Sequence, residues 1–403
     1  MRALCFSLLF LGMLIPGSTE AGSVFSFNGL GDPFSRVDIR ARGMGGAGRA
    51  LADGLNFSSA NPALLSSFAR AALSSLYFVQ RRTLKDNAGT NHVISDGDLG
   101  PIQLVLPVGK AVVLGIGLEP LTDMDFSLVK TVDTGQFPHV LTIDGTGGIQ
   151  ALSVGVGKKF GRFAAGARLD LAILGTINET WKRAFTNSTN IGSDGLALPE
   201  FLDTQDQYVR THRGAQASMG ALYDVNEKFS LGLALKAGST IKQTQIFRNI
   251  FAARGFEDDV STKVDVKLPG SIAMGAAYNS GYRWLAAVDY ERAFWGGTAT
   301  GRFDTSELAG GVLYRTGEKD PFSRKRQLEL MAGVHQRSLY FATVSGDQVK
   351  EMGASVGIAI PFQKRGVGAF RYVLEFGNRG DVGQHGVSER YIRQTFSISG
   401  WLR

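Results

Sequence analysis

Three glycines, Gly43, Gly45 and Gly48, have the spacing that most directly suggests chemistry in this sequence. They match the pattern G-x-G-x-x-G, whose backbone cradles the phosphates of a dinucleotide when it follows a strand and opens a helix. The residues before Gly43 are polar and irregular, so that context is missing. Glycines that allow a segment to fold tightly are the better explanation.

The residue types that usually carry catalysis or bind metals are scattered. No serine lies in a G-x-S-x-G sequence, and no pair of carboxylates or nucleophile with a neighbouring base stands out. The histidines lack the spacing of a metal site; they are His92, His139, His212, His335 and His385. The sequence therefore predicts no enzyme, no metal site and no cofactor.

Residues 1–21 have the pattern of a secretory signal peptide. Arg2 provides the positive charge, the stretch from Ala3 to Ile15 is apolar, and Ala21 ends a cleavage site of small residues. An apolar stretch of about thirteen residues is too short to span a bilayer. Cys5 is the only cysteine, so the exported chain is expected to lack disulfides and cysteine-based sites.

The composition gives little support to nucleic-acid binding and indicates an unusual use of glycine. Lysine and arginine number 43 against 36 acidic residues, a net charge of +7, but the basic residues form no stripe. The 52 glycines have no collagen period. Many of them recur inside segments with a strand pattern, which suggests that something approaches the backbone closely there.

Segments with an apolar residue at every second position recur throughout residues 69–403. In one of them Trp284, Ala286, Val288 and Tyr290 share one face of a strand. No run of about 18 apolar residues follows the N-terminal stretch, so spanning helices are not expected. Strands whose faces differ in this way suit a wall between lipid and a polar or crowded interior.

Fourteen such segments can be counted, an even number as bacterial single-chain barrels require. They lie at 71–79, 102–106, 112–118, 152–156, 163–173, 215–223, 231–235, 272–278, 284–290, 308–314, 328–334, 352–360, 370–376 and 392–402. Short turns alternate with predicted long loops at 80–100, 120–147, 178–208, 243–265, 293–306, 336–349 and 378–389.

The pattern predicts an all-β fold, a 14-stranded antiparallel transmembrane β-barrel in the outer membrane of a Gram-negative cell. The barrel must be closed because lipid cannot satisfy an open sheet edge. Residues 22–68 lack the alternation, so we expect a signal peptide at 1–21, a separate segment at 22–68 and the barrel at 69–403. A soluble β-sandwich or solenoid is the competing interpretation.

Several motifs resemble one known superfamily. The sequences Arg42-Gly43-Met44-Gly45-Gly46-Ala47 and Asn61-Pro62-Ala63-Leu64 are similar to the N-terminal region of the long-chain fatty-acid transporter (FadL) superfamily, which also holds the PorV-like outer-membrane proteins. Val266 to Ser271 and the close of the chain, from Glu375 to Trp401, fit its pattern as well. The resemblance covers essentially the whole exported chain.

The resemblance implies a fourteen-stranded barrel whose N-terminal segment folds inward as a plug, or hatch. It places Asn61, Pro62 and Ala63 in that plug; an ordinary loop turn is the alternative. The function implied first is passive uptake of a hydrophobic small molecule such as a fatty acid or hydrocarbon. The alternative is a PorV-like docking or shuttle protein of a secretion system, towards which the close of the chain leans.

Apolar residues in two predicted loops are the candidates for ligand contact, because exposed apolar side chains usually pack or bind something. The 178–208 loop offers Phe185, Leu196, Leu198, Phe201 and Leu202, and the 120–147 loop offers Leu121, Met124 and Phe126. Packing between loops or contact with a partner protein are the alternatives.

Charged residues occur at inward positions of the predicted strands. They are Glu119, Arg168, Asp170, Lys236, Asp289, Glu291, Glu329, Arg371, Glu375 and Arg393. Because unpaired buried charge is expensive, we expect these residues to pair with one another or with the plug rather than to form a selectivity filter.

Overall fold

The computed structural model describes residues 23–26, 30–87, 89, 91–109, 112–132, 138–185, 204–251, 255–256, 259–281, 283–316, 327–342, 346–362 and 368–402. The predicted signal peptide, residues 1–21, lies outside the described residues.

One antiparallel sheet of long strands closes on itself and forms the barrel. The strands are β2 (Ala72–Asp86), β3 (Asn91–Val108), β4 (Val112–Val132), β5 (His139–Phe160), β6 (Phe163–Phe185), β7 (Thr204–Asp224), β8 (Phe229–Lys236), β9 (Ser239–Phe251), β11 (Val260–Leu268), β12 (Ser271–Asn279), β13 (Trp284–Ala293), β14 (Thr305–Arg315), β15 (Glu329–Ala342), β16 (Gln348–Pro361), β17 (Gly368–Arg379) and β18 (Val387–Trp401). Two further strands, β1 (Asp32–Pro33) and β10 (Gly255–Phe256), are two residues each.

The sheet crosses the membrane fourteen times because two crossings are interrupted. Strands β8 and β9 form one crossing that breaks at 237–238, and β11 and β12 form another that breaks at Pro269 and Gly270. Closure occurs between β18 and β2, which pair along their full lengths. The predicted fourteen-stranded antiparallel barrel is confirmed, and each of the fourteen predicted segments lies in one of its crossings.

The two faces of the wall differ as the alternation predicts. The outward face exposes a band of large apolar side chains, among them Leu73, Ile116, Leu152, Val154, Leu169, Met219, Leu233, Met274, Val288, Leu308, Val334, Val356 and Ile398. A band of this kind is what contact with lipid requires. No helix among the described residues is long and apolar enough to cross a membrane.

One side of the barrel extends much farther on the rim opposite the short turns. We call this rim extracellular, because outer-membrane barrels have their short turns on the periplasmic side. Strands β4 and β5 continue to Val132 and from His139, and β6 and β7 continue to Phe185 and from Thr204. The prediction of a loop is therefore wrong for most of 120–147, and in 178–208 it is wrong for 178–185 and 204–208, while 186–203 lie outside the described residues. Beyond the membrane neither face of a strand meets lipid, so the alternation fades although the hydrogen-bonded ladder continues.

Among the residues before β2, the described ones (23–26 and 30–71) contact strands from all around the wall. They contain 3-10 helices at Val24–Ser26 and Pro62–Ser67, the strand β1, and the helix α1 (Ile39–Gly43), whose N-cap is Asp38. A second short helix, α2 (Val382–His385), lies at the opposite end of the chain, before β18. Residues 30–68 are called the inner segment below.

Candidate functional site

The inner segment approaches the wall most closely where the wall carries glycine. The backbone of Met44 lies against Gly311 of β14 and Gly333 of β15, and the backbone of Pro62 lies against Gly166 of β6. A Cβ atom at any of these glycines would overlap the inner segment. The small residues on the inward parity of the strands therefore leave room for the chain inside.

Asn61 makes the closest of these contacts between the inner segment and the wall. Its side-chain oxygen caps the helix Pro62–Ser67 by accepting from the N–H of Ala63 at 3.1 Å. Its side-chain amide donates to the carbonyl of Arg49 at 2.8 Å and to that of Ala221 at 3.3 Å. Asn61 thus joins two parts of the inner segment to each other and to β7.

Replacing Gly220 by valine is expected to lower the free energy of unfolding by about 1–3 kcal/mol, because the new side chain would overlap Asn61. Gly310 provides a matched control, since a Cβ there would meet only the carbonyl oxygen of Ala287, at 3.8 Å. Denaturant unfolding of both variants in detergent checks the difference. Equal unfolding midpoints for the two variants would contradict the close contact between Asn61 and Gly220.

Arginines of the inner segment are paired with carboxylates of the wall. Arg36 lies 3.1 Å from Glu119 and 2.8 Å from Asp170, and Arg168 lies 2.8 Å from Glu119. All four side chains are nearly buried. The inner segment is therefore joined to β4 and β6 by a compact ionic cluster.

Arg40 makes the corresponding contact on the other side of the lumen. It pairs with Asp53 of the inner segment and lies 3.0 Å from Glu329 of β15. Burial alone would raise the pKa of the Asp53 carboxyl, but the neighbouring guanidiniums of Arg40 and Arg315 outweigh it and lower that pKa. By contrast, burial raises the pKa of Asp38 in spite of Arg40.

Gly48 and Arg49 surround one carboxylate of β13. Asp289 accepts from the backbone N–H of Gly48 at 2.7 Å and from that of Arg49 at 2.9 Å. The guanidinium of Arg49 also pairs with Asp289, at 3.3 Å, and with Glu291. The G-x-G-x-x-G glycines thus serve close packing and hold a protein carboxylate, which explains their spacing without a dinucleotide.

The largest ionic cluster surrounds Arg379 at the extracellular end of β17. Its guanidinium lies 2.8 Å from Asp32 of β1 and 2.7 Å from Glu351 of β16. It also donates to the hydroxyl of Ser23 at 2.9 Å, and Ser23 in turn donates to Glu389 at 2.8 Å. This cluster holds the first described residues of the chain against the wall.

The prediction that inward charges pair with one another or with the N-terminal segment is confirmed for most of them. Arg393, for example, lies 3.9 Å from Glu375. Arg371 instead donates to the hydroxyl of Ser399.

The wall is open between β3 and β4 in its extracellular half. The two strands pair only from Val108↔Val112 to Ile102↔Leu118. Beyond that point β3 pairs only with β2, and β4 pairs with β5. A cavity of about 620 Å³ lies here, and we call it the side cavity. It is lined by Asp96, Gly97, Asp98, Leu118, Pro120, Thr122, Asp123, Met124, Asp125, Thr146, Gly147, Gly148, Gln150, Leu152, Leu174, Gly175 and Thr176.

The inner segment covers this opening from within by means of β1. Asp32 lies opposite Asp123, and Pro33 lies opposite Thr122, on the edge of β4 that β3 leaves free. The N–H of Phe34 donates to the carbonyl of Leu121 at 2.9 Å. Two residues of strand pairing therefore separate the interior from the side cavity.

The side cavity is acidic. Asp96, Asp98, Asp123 and Asp125 all line it, and the buried hydroxyl of Thr122 has no hydrogen-bond partner among the described residues. Carboxylates that line a cavity repel anions and favour neutral or cationic groups.

A second cavity, of about 190 Å³, lies between the inner segment and the wall, and we call it the inner cavity. Its lining is mixed. Leu268, Trp295, Leu339 and Tyr340 are largely apolar, whereas Arg36, Arg49, Lys236, Glu291, Glu307 and Arg337 are charged. Thr122 lines both cavities, so they are neighbours at β4. A cavity of about 150 Å³ is large enough for benzene, so the inner cavity has the volume for a small molecule at its apolar side.

An apolar cluster covers the extracellular side of the inner segment, and we call it the outer cluster. Its buried members include Phe25, Leu30, Met124, Phe126, Ile143, Ile149, Ile173, Ile177, Ile241, Trp295, Tyr340 and Phe341. Two of the predicted ligand residues, Met124 and Phe126, are thus buried members of this cluster on β4 rather than loop residues, and Leu121 packs against it.

Of the remaining predicted ligand residues, only Phe185 is described, and it is not a member of the outer cluster. Phe185 ends β6 and packs against the ring of His139, with 5.3 Å between ring centroids. Leu196, Leu198, Phe201 and Leu202 lie outside the described residues.

Sequence reasoning missed the residues at the wall opening. The signals were present in Ser95-Asp96-Gly97-Asp98 and in Thr122-Asp123-Met124-Asp125, which carry carboxylates at alternate positions, and in Pro120 within a strand. A proline inside a strand indicates an edge or a bulge, and the β4–β5 register does shift between Pro120 and Thr122. Within the described ranges, no three His, Cys, Asp or Glu side chains are grouped so as to hold a metal ion.

The chain matches a family model described as BamG over residues 2–400. Solved structures with a similar fold include the CymD monoaromatic hydrocarbon channel, which is 18% identical with a TM-score of 0.59 over 94% of this chain and 99% of that chain. A Pseudomonas aeruginosa FadL homologue is 13% identical with a TM-score of 0.60 over 92% and 98%. The Ralstonia pickettii toluene transporter TbuX is 14% identical with a TM-score of 0.57 over 94% and 100%.

Among curated proteins none matches this sequence. The three solved structures share the closed barrel, and at these identities the likeness concerns the fold. Because the family model spans nearly the whole chain and the wall has a FadL-like fold, this protein is an outer-membrane β-barrel that belongs to the BamG family.

Proposed function

We propose that this protein is a passive channel for the uptake of small hydrophobic molecules across the outer membrane. The observation that carries the proposal is the wall opening between β3 and β4, which β1 covers from within. Similar barrels include a monoaromatic hydrocarbon channel and a toluene transporter. In this proposal residues 22–68 are the plug, and Asn61, Pro62 and Ala63 are among the residues that hold it against the wall.

The proposed route uses the apolar parts of the interior. A substrate enters the outer cluster, where Leu121, Met124 and Phe126 are the contact residues, and passes to the inner cavity. Apolar burial supplies the binding energy. The route then leads past Thr122 to the side cavity and into lipid. Capture farther out by Phe185, Leu196, Leu198, Phe201 and Leu202 is part of the proposal.

The charge of the side cavity favours a neutral substrate. A fatty-acid carboxylate would pass Asp96, Asp98 and Asp123 within a few ångströms in a partly desolvated place. Like charges so placed repel strongly. A hydrocarbon carries no charge and meets no such barrier, so we favour hydrocarbon-like molecules over fatty acids.

A local movement of β1 is the proposed opening step. Displacing Pro33 from β4 breaks the Phe34–Leu121 hydrogen bond and draws Asp32 away from Arg379. Displacing the whole inner segment would break the ionic clusters of Arg36, Arg40 and Arg49 together, at a far higher cost. The smaller movement connects the two cavities and needs no catalysis and no energy source within the chain.

A disulfide between Pro33→Cys and Thr122→Cys tests the opening step. The two positions form a non-hydrogen-bonded pair on antiparallel strands, with Cα atoms about 4.5 Å apart, within the range that a disulfide accepts. The oxidised double variant is expected to lose nearly all uptake of a labelled aromatic hydrocarbon in a deletion strain, and a reductant is expected to restore it.

Each single cysteine variant is the control for this experiment, because the exported chain is predicted to contain no other cysteine. Uptake that continues unchanged in the oxidised double variant, with the disulfide verified by mass spectrometry, would disprove the route through the wall opening. The alternative from the sequence, a PorV-like docking protein of a secretion system, gains no support from the structural matches.

A further inference from the structure

A group of basic side chains lies on the outer surface of the barrel, where the chain ends meet. Arg390 on β18 lies opposite Thr83 of β2. Arg81 and Lys85 lie two residues to either side of Thr83 on the same face, so both are diagonal neighbours of Arg390. All three basic side chains are exposed. We call these three residues the basic triad.

A fourth basic residue extends the triad along the rim. Lys350 on β16 is exposed and lies one residue beyond the Glu351↔Arg379 pair of β16 and β17. Arg379 in turn lies opposite Glu389 of β18, the neighbour of Arg390. Lys350 therefore lies two strands away from Arg390, at a similar position along the barrel axis.

The glutamates of β16, β17 and β18 do not neutralise the triad. Glu351, Glu375 and Glu389 point into the lumen and are 1%, 7% and 1% exposed. In the described part of the chain, neither the triad nor Lys350 has a carboxylate oxygen within ion-pair distance. Several positive charges are thus left uncompensated on one small patch.

Some other exposed basic residues of the wall are paired with carboxylates. Lys182 lies 3.2 Å from Asp144, and Arg183 lies 2.8 Å from Asp206. Arg292 lies 3.2 Å from Asp304. These three cations therefore have the protein partners that the triad lacks.

The triad lies at the upper edge of the lipid-facing band. Apolar outward side chains lie beside it: Ile392, directly opposite Arg81, is 50% exposed, and Phe376, opposite Ile392 on β17, is 46% exposed. Trp401 marks the opposite end of β18, on the side of the short turns. At about 3.4 Å per residue and a tilt of about 40°, Arg390 and Trp401 are separated by roughly 28 Å along the barrel axis. That height corresponds to the headgroups of the outer leaflet, because the hydrocarbon band of such barrels is about 25 Å tall.

We propose that Arg81, Lys85 and Arg390, with Lys350 beside them, form a binding site for the phosphate groups of an outer-leaflet glycolipid of the lipid A class. Arginine binds phosphate through two parallel hydrogen bonds, and lysine adds a point charge. The acyl chains of the same molecule lie against Phe376 and Ile392. The site rests on the position of the barrel in the outer membrane and is independent of the proposed uptake.

The test compares binding of purified lipid A to the full chain in detergent. The variant R81Q/K85Q/R390Q removes the triad, and K182Q/R183Q/R292Q removes the same number of exposed cations that have protein partners. Native mass spectrometry with bisphosphorylated lipid A is expected to give binding on the order of a hundredfold weaker for the triad variant, at about 1 kcal/mol per basic residue. The control variant is expected to bind like the unchanged protein.

Two further measurements identify the chemical group of the lipid that is bound and test whether the variants are folded. Dephosphorylated lipid A is expected to bind the unchanged protein as weakly as the triad variant binds the phosphorylated form, and inorganic phosphate alone is expected not to compete at millimolar concentration. The single variant R390Q, with folding checked by heat-modified gel mobility, is expected to lose several-fold in affinity. Equal binding by the triad variant and the control, or equal binding of both lipid forms, would overturn the proposal.

Discussion

Replacing Arg379 by methionine is expected to lower the free energy of unfolding by about 3–5 kcal/mol, among the largest effects of any single substitution in this chain. Arg379 is 1% exposed and neutralises Asp32 and Glu351 directly, at 2.8 and 2.7 Å. Without it these carboxylates and Glu389 remain buried with too few positive partners. Unfolding in denaturant, followed by gel mobility or intrinsic fluorescence in detergent, measures the change.

Arg183→Met is the matched control for this prediction. Arg183 also lies 2.8 Å from a carboxylate, that of Asp206, but its side chain is 33% exposed. Exposed ion pairs contribute little to stability because water screens them. A second variant, R379M/E351Q, is expected to recover part of the loss since it removes one of the unpaired charges. Midpoints for R379M and R183M that agree within error would show that the buried cluster contributes little.

Deleting residues 23–68 is expected to turn a closed barrel into a conducting pore. The inner segment occupies the lumen from β4 and β6, where Arg36 is paired, to β13 and β15, where Arg49 and Arg40 are paired. After the deletion water enters and solvates the inward carboxylates, so the wall retains its hydrogen-bonded ladders. Planar-bilayer recordings are expected to register stepwise ion currents for the deletion variant and none for the full chain.

The oxidised P33C/T122C variant is the control for conductance, because its inner segment is fixed to β4 at a single point while the rest stays seated. It is expected to remain closed to ions. Currents of equal size from the full chain and from the deletion variant would contradict the proposal that residues 22–68 are a plug. Unchanged gel mobility on heating would indicate that the deletion variant had not folded.

The alternation in the sequence correctly predicts the strands where the wall meets lipid. It does not predict the parts of the strands that extend beyond the membrane. In Trp284, Ala286, Val288 and Tyr290 the alternation follows from lipid on one side and a crowded lumen on the other, and β13 lies there. Residues 139–150 of β5 have no lipid on either face, so no such pattern marks them. The prediction of loops was therefore wrong in the region where the physical cause of the alternation ends.

The candidate site was predictable only in its general features. Glycine at inward positions indicates close approach, and Gly166 and Gly333 do meet the inner segment. Which glycine meets which residue depends on contacts between residues hundreds of positions apart, such as Gly45 with Ser355. The wall opening depends on the divergence of β3 from β4, which is a property of strand pairing and leaves only indirect traces such as Pro120.

The pairing of β18 with β2 constrains how this protein is assembled. The inner segment directly precedes β2, yet many of its partners lie on β13 to β18, which the ribosome makes last. Such long-range contacts make folding slow. If the segment entered after closure, its charged side chains would have to pass through a completed wall or a narrow end. This passage is avoided if the strands assemble around an inner segment that is already in place. The pairing of β18 with β2 would then be the last step.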